Sequence, residues 1–268
     1  MSSLRRFPVL SLSLTAILTT AACGSAEHLH WGYEDSETTV GPEGWGMLEG
    51  NATCMTGKQQ TPIALSTRDD AAARSVDLTP LNFDYKPSKL TMLHNGHTVV
   101  VTYDPGSTFT PEGEALRLAQ FHFHSTSEHT LDGAYLPLEM HLVHVDKDNK
   151  PKAVVAVLVR VGAPNAVLAT AWKNLPQQPD AATAPMDGMT NATIDAAQLL
   201  PARREYFTYA GSLTTPPCTE GLTWYVFKNS VEMSVQQLTT YVSIPGLAKS
   251  NRPLQPLNGR SVWLDSTP

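Results

Sequence analysis

Three histidines have types and spacing suited to holding a metal: His122 and His124 in Leu116-Arg-Leu-Ala-Gln-Phe-His-Phe-His124, and His141 in Leu138-Glu-Met-His-Leu-Val-His144. Both segments read as strands, on which side chains alternate between faces. His122 and His124 therefore share a face, with Leu116, Leu118 and Gln120, while Phe121 and Phe123 point away. In the second segment the same parity groups Glu139, His141 and Val143 against Met140, Leu142 and His144. If the strands pair, three neutral imidazoles converge. They supply three of the four tetrahedral positions around zinc and leave one for water, the arrangement of a catalytic rather than a structural site. A lone His-x-His is a weak signal, and a single histidine is more often an ordinary core or rim residue. The neighbours add weight: Gln120 and Glu139 each precede a histidine by two residues on its own face, where they can orient a ring N–H. A carboxylate in an apolar strand needs a partner, and a metal-bound imidazole is one. His144, of opposite parity, reads as structural.

The elements that position these residues are mostly strands. Lys89 to His94, then Asn95-Gly96, then His97 to Tyr103 predicts a hairpin whose Asn-Gly supplies the positive φ angles of a tight turn, with His97 just past it. Ala153 to Val161 is a fully buried-looking run, and Leu222 to Phe227 is a further strand. Helices are expected at Asn165 to Leu175 and at Ser234 to Tyr241, the second capped by Ser234. Between His28 and Ala64 the chain is rich in Gly, Trp and turn residues and no helix is evident; Pro176 to Asn191 reads as a Pro/Ala/Gln loop. There is no repeat and no linker marked by a composition shift, so a single domain with a dominant sheet is expected.

With 268 residues, 41% hydrophobic and 16% charged, the chain can bury a full core. A net charge of -6 and no run of Lys/Arg argue against a nucleic-acid partner and for a small substrate. Residues 1–22 read as an export leader: Arg5 and Arg6, an apolar stretch from Val9 to Leu18, then small residues, too short for a stable membrane span. Thr20-Ala-Ala-Cys23 looks like a bacterial lipoprotein processing site, with simple cleavage as the equal alternative; the adjacent arginines are a basic n-region rather than a twin-arginine signal. The location expected is periplasmic or at the cell surface, with any membrane contact through lipid on Cys23. Removing the leader leaves Cys54 and Cys218, for which a disulfide is the economical reading. Asn51 and Asn191 begin glycosylation sequons that carry no meaning behind a bacterial-type leader.

His30-Trp-Gly-Tyr33, Gln60-Thr-Pro-Ile63, Asn95-Gly-His97, Gln120-Phe-His-Phe-His124, Ser127-Glu-His-Thr130, Glu139-Met-His-Leu-Val-His144, Gly211-Ser-Leu-Thr-Thr-Pro-Pro-Cys-Thr-Glu-Gly221, Trp224 and Arg252-Pro-Leu-Gln-Pro-Leu-Asn-Gly-Arg260 follow one another in this order. The set resembles the α-class carbonic anhydrases of the secreted bacterial type, from His28 to near the C-terminus. The resemblance implies a mainly β fold with a few short helices (α+β), one domain over residues 23–268 built on a large, mostly antiparallel central sheet, with zinc at the base of a cone-shaped pocket. It implies Zn2+ on His122, His124 and His141, oriented by Gln120 and Glu139, and reversible hydration of carbon dioxide to bicarbonate by a zinc-bound hydroxide. It further implies that Thr214 accepts a hydrogen bond from that hydroxide and donates its own to Glu128, which needs a hydroxyl because only a hydroxyl does both.

By the same resemblance carbon dioxide rests against Val143, Val154, Leu213 and Trp224, with Thr214 and Thr215 beside it. Of these Val143 also follows from strand parity, since it shares the face of His141. His97 matches the family's proton-shuttle histidine, whose imidazole titrates near neutrality and can pass a proton through water to buffer. His94, where the family varies, reads as a surface residue. Cys54 and Cys218 match the cysteine pair of extracellular members, and cis peptides are implied at Thr61-Pro62, where Ser-Pro is usual, and at Pro216-Pro217. Ester hydrolysis would be a side activity of the same nucleophile. A non-catalytic binding module is the contrasting reading, opposed by histidine at all three ligand positions. The chain is a monomer or a homodimer.

Overall fold

A computed structural model describes residues 29–68, 73–111, 113–179, 182–183 and 192–265. The leader, Cys23 and Asn191 lie outside the described residues. Nine strands organise the site: β1 (Ala73–Val76), β2 (Thr91–His94), β3 (Val99–Thr102), β4 (Leu116–His124), β5 (Leu138–Val145), β6 (Pro151–Val161), β7 (Tyr206–Ser212), β8 (Glu220–Phe227) and β9 (Val262–Asp265). They lie side by side in the order β2-β3-β4-β5-β6-β8-β7-β9-β1. From β2 to β6 all neighbours are antiparallel, whereas β6–β8 and β9–β1 are parallel. The sheet is therefore mixed, its antiparallel part carrying the histidines.

The sheet separates two apolar cores, which explains the continuous apolar run of β6. Val155, Val157 and Val159 enter one core and Val154 and Ala156 the other, so a strand buried on both faces has no polar alternation. β8 is split in the same way, Tyr225 and Phe227 on one side and Leu222, Trp224 and Val226 on the other. The larger core is roofed by two helices, α2 (Ala166–Trp172) and α3 (Val235–Val242), through Leu168, Trp172 and Tyr241. Asn165 caps α2 by accepting from the Val167 and Leu168 N–H groups, and Ser234 with Gln237 forms a capping box on α3.

Five sequence expectations are corrected. β4 does not keep one parity: its register with β5 shifts between Leu118 and Gln120, so Leu116 and Leu118 join Phe121 and Phe123 in the larger core instead of sharing the histidine face. One inserted residue switches faces, so the bulge lets an apolar start and a polar end of one strand face opposite layers. The β2–β3 connection spans Asn95 to Thr98, with positive φ at Gly96 (91°) but not at Asn95; the Asn95 side chain accepts from the N–H groups of His97 and Thr98. His97 is thus part of the turn. His94 is fully buried, because Leu93 takes the outward position of β2. Between His28 and Ala64 there are two short helices, a 3-10 segment (Pro42–Met47) and α1 (Thr53–Thr56), too brief to leave a periodic signal. In the stretch read as a loop after Pro176, Ala182–Thr183 pairs with Met92 and Leu93 at the sheet edge. Thr61-Pro62 and Pro216-Pro217 are cis, as is Ser125-Thr126, and Cys54 is bonded to Cys218.

Candidate metal centre and active site

Register brings the three histidines together. His122 on β4 is directly opposite His141 on β5, and His124 is two residues further along the same face. The ring centroids lie 5.4 Å (His122–His141), 5.1 Å (His122–His124) and 4.5 Å (His124–His141) apart, and one ligand atom from each ring falls within 4.8 Å of the others. Each ring has one nitrogen occupied by an acceptor: His122 Nδ1 on Gln120 Oε1 at 2.8 Å, His124 Nδ1 on the Ser250 carbonyl at 2.6 Å, and His141 Nε2 on Glu139 Oε1 at 2.7 Å. An acceptor can only be met by N–H, so the lone pairs remain on His122 Nε2, His124 Nε2 and His141 Nδ1. His124 Nε2 is buried with no hydrogen-bond partner, a costly arrangement unless a cation takes the lone pair. The donor set fits a tetrahedral zinc with one position left over. Burial, the largest cause in each case, lowers the pKa of all three rings, His124 to about 4, so they stay neutral and ready to ligate.

Glu139 is fully buried, yet it accepts four hydrogen bonds: two from the backbone N–H groups of Glu128 and His129, one from His129 Nδ1 at 2.6 Å and one from His141. Burial pushes its pKa up, but His129 and His141 outweigh that and hold it well below the carboxylate range. His129 Nε2 in turn meets the Tyr209 hydroxyl at 2.6 Å. Its link to Glu139 was not assigned from sequence, nor was the Ser250 carbonyl; a backbone acceptor leaves no trace in residue type, but His129 stands in the motif Ser127-Glu-His-Thr130 and could have been suspected.

Beside the three rings, Glu128 is also fully buried; its Oε1 accepts from the Arg252 backbone N–H at 2.8 Å. Its Oε2 has no hydrogen-bond partner, and the His141 ring, the Arg252 N–H and the neighbouring Thr214 hydroxyl, in that order, favour its charged form. Burial is the main reason its pKa rises, to about 7. Val143, Val154 and Trp224 pack in one cluster with Leu213 against it, Trp224 standing 4.8 Å from the His141 ring. Thr215 lies in the following turn, its carbonyl accepting from the Cys218 N–H. His97 is separate from this set: its ring stacks on Trp31 at 3.5 Å in a depression also lined by Tyr33, Gly246, Ala248 and Lys249. Half-burial, then His94 and His30, lower its pKa. His144, on the opposite face of β5, is buried against Phe109 and hydrogen-bonded to the Tyr85 hydroxyl at 2.7 Å.

Fold and site together define a class: one sheet-based domain presenting three neutral imidazoles for a single cation beside an apolar wall. Residues 40–266 match the family model described as eukaryotic-type carbonic anhydrase. The chain is 39% identical over 264 residues to a carbonic anhydrase of Neisseria gonorrhoeae (96% of this chain, 98% of that one) and 38% identical over 253 residues to one of Pectobacterium carotovorum (94% and 98%). The solved α-carbonic anhydrase of Thermovibrio ammonificans, in complex with the inhibitor sulfanilamide, superposes with a TM-score of 0.79 at 39% identity, covering 88% of this chain and 99% of that one. The chain belongs to the α-class, eukaryotic-type carbonic anhydrase family and is an enzyme of that family.

Proposed function

We propose that this enzyme hydrates carbon dioxide reversibly to bicarbonate and a proton, with zinc held by His122, His124 and His141. The observation that carries the reading is the pattern of ring nitrogens: each of the three rings gives one nitrogen to an acceptor and keeps one free, and ligand atoms of the three rings lie within 4.8 Å of one another. Zinc, when bound there, supplies Lewis acidity that brings the ionisation of water into the neutral range. The chain's residues do the rest. The Thr214 hydroxyl donates to Glu128, which leaves its lone pair to accept the hydrogen of the attacking oxygen and so aims that oxygen's own lone pair at carbon. Val143, Val154, Leu213 and Trp224 give the apolar substrate a surface where water gains little, with Thr215 bordering it. After bicarbonate leaves, His97 takes the released proton through water and passes it to buffer.

Residues 1–22 act as an export leader ahead of a catalytic domain over 23–268, and the Cys54–Cys218 bond supports an oxidising location such as the periplasm or cell surface. The mass of the mature N-terminus distinguishes lipid on Cys23 from plain cleavage. The main experiment is metal analysis paired with a hydration assay. One zinc per chain and carbon dioxide hydration are expected, both lost in His141→Ala; a zinc-free protein, or a mutant that hydrates normally, refutes the reading.

A further inference from the structure

His94 lies three residues before His97 and is fully buried. Its Nδ1 receives the Gly96 N–H at 3.0 Å, and its Nε2 faces the Pro245 carbonyl at 3.2 Å. A ring nitrogen that receives an N–H must be unprotonated, and one that faces a carbonyl must carry a proton. Both contacts therefore exist together only in the neutral Nε2–H tautomer. The ring is a strut between two backbones, the Asn95–Thr98 turn that carries His97 and the 245–250 segment. These backbones also meet directly, since a Cβ on Gly246 would come within 3.3 Å of the Gly96 carbonyl.

The 245–250 segment is anchored to the metal side of the molecule. The Ser250 carbonyl accepts from His124, the Ser250 hydroxyl accepts from the Ser125 N–H at 3.0 Å, and the Ser250 N–H donates to the Ser125 carbonyl. Gly246, Ala248 and Lys249 line the same depression as His97. One short stretch of chain thus touches a metal-facing histidine at one end and the His97 turn at the other, and His94 makes the second connection.

We propose that His94 is a positioning residue for proton release, fixing the turn so that His97 is held at the depression on the side of Ser250 and His124. It touches no reacting atom and acts only through His97, so the inference rests on the proton-transfer role given to His97 above. Such a role leaves a specific kinetic mark. Proton release follows bicarbonate departure, so it limits kcat in weak buffer but does not enter kcat/KM.

The test compares wild-type holoenzyme, His97→Ala, His94→Leu and the double variant in weak buffer and in concentrated imidazole. For His94→Leu we expect kcat in weak buffer to fall about three-fold or more, kcat/KM to stay within two-fold of wild type, imidazole to restore kcat, and the double variant to be no slower than His97→Ala, as for two residues on one path. Unchanged kcat in weak buffer, or equal loss of kcat and kcat/KM, overturns the role of His94. If His97→Ala itself shows no loss in weak buffer, the role of His97 fails and takes this inference with it; a loss in His97→Ala without one in His94→Leu sinks the inference alone. His94→Met, a flexible apolar filler of similar bulk, gives the same reading should the leucine variant not fold.

Discussion

Glu139 shows how much one side chain can set. Its four accepted hydrogen bonds come from two backbone N–H groups and two imidazoles, so any donor at this position meets donors. Glu139→Gln places an NH2 group among them, removes the charge that favours His141 Nε2–H and frees the ring to turn. Losing such an outer hydrogen bond typically weakens metal binding by about 10–100-fold. Zinc dissociation from the variant, measured by competition with a chelator, should be faster by that order; unchanged zinc retention would mean that β5 alone holds His141. Thr214→Val tests a different function. Valine keeps the shape and removes the hydroxyl, so zinc should stay and kcat/KM should fall by roughly 100-fold, the usual effect of deleting one hydrogen bond that orients the reacting group. Loss of zinc together with activity would make Thr214 structural.

Among elements, β4 and β5 were legible as strands, and the clustering of His122, His124 and His141 was legible in their alternation, because residues on one face of a strand recur with a period of two. The bulge before Gln120 was not legible: Leu116 and Leu118 have the parity of His122 and His124 in sequence, and only the shape of the paired strand reveals the switch. His94 was misread as a surface residue because the family varies there, which carries no information on depth; in the strand Leu93 takes the outward position and His94 is buried. His144 was read correctly as structural, and it makes a pH prediction. Burial lowers its pKa to about 3, while an unfolded chain binds the proton near the ordinary value of 6.5. Below 6.5 the unfolded state therefore holds more protons, and stability contributed at neutral pH is lost as pH falls toward 3. The slope is about 1.4 kcal/mol per pH unit for one such group. Urea unfolding at neutral pH and near pH 4.5 should show wild type losing about 2 kcal/mol more than His144→Leu; equal losses would show that the ring is already protonated in the fold. On β7, Gly211 leaves no room for a methyl group, since a Cβ would meet Thr61 Oγ1 at 2.3 Å and Trp224 Cδ1 at 2.6 Å. Gly211→Ala should cost about 1–3 kcal/mol in overpacking, read as a lower urea midpoint, and displace Trp224 from the apolar wall.

For the molecule as a whole, the disulfide was foreseeable by counting cysteines, but the network around it was not, because it runs through backbone carbonyls. The bridge joins α1 to the loop that follows Thr214 and closes 164 residues of chain. Arg252, almost fully buried, donates to the Cys54 carbonyl, the Thr61 carbonyl and Gln60 Oε1, each at 2.9 Å, while its own N–H holds Glu128. Gln60 donates to the Cys218 carbonyl at 3.1 Å, and Thr61 and Ser212 exchange two further bonds at 3.0 Å. Two kinds of link thus converge on the Thr214 loop, one covalent and one made of hydrogen bonds, and they should separate experimentally. The covalent link acts mainly on the unfolded chain, where a loop of this length costs about 5 kcal/mol of closure entropy in the chain-entropy model. The hydrogen bonds act on the folded geometry and survive reduction. In the Cys54→Ala/Cys218→Ala variant the unfolding free energy should therefore fall by up to about 5 kcal/mol, whereas kcat/KM of the molecules still folded at 25 °C should stay within about two-fold of wild type, because Gln60, Arg252 and Ser212 keep Thr214 against Glu128. A folded variant with zinc in place but kcat/KM reduced ten-fold would show instead that the bridge, and not the arginine network, sets the position of Thr214.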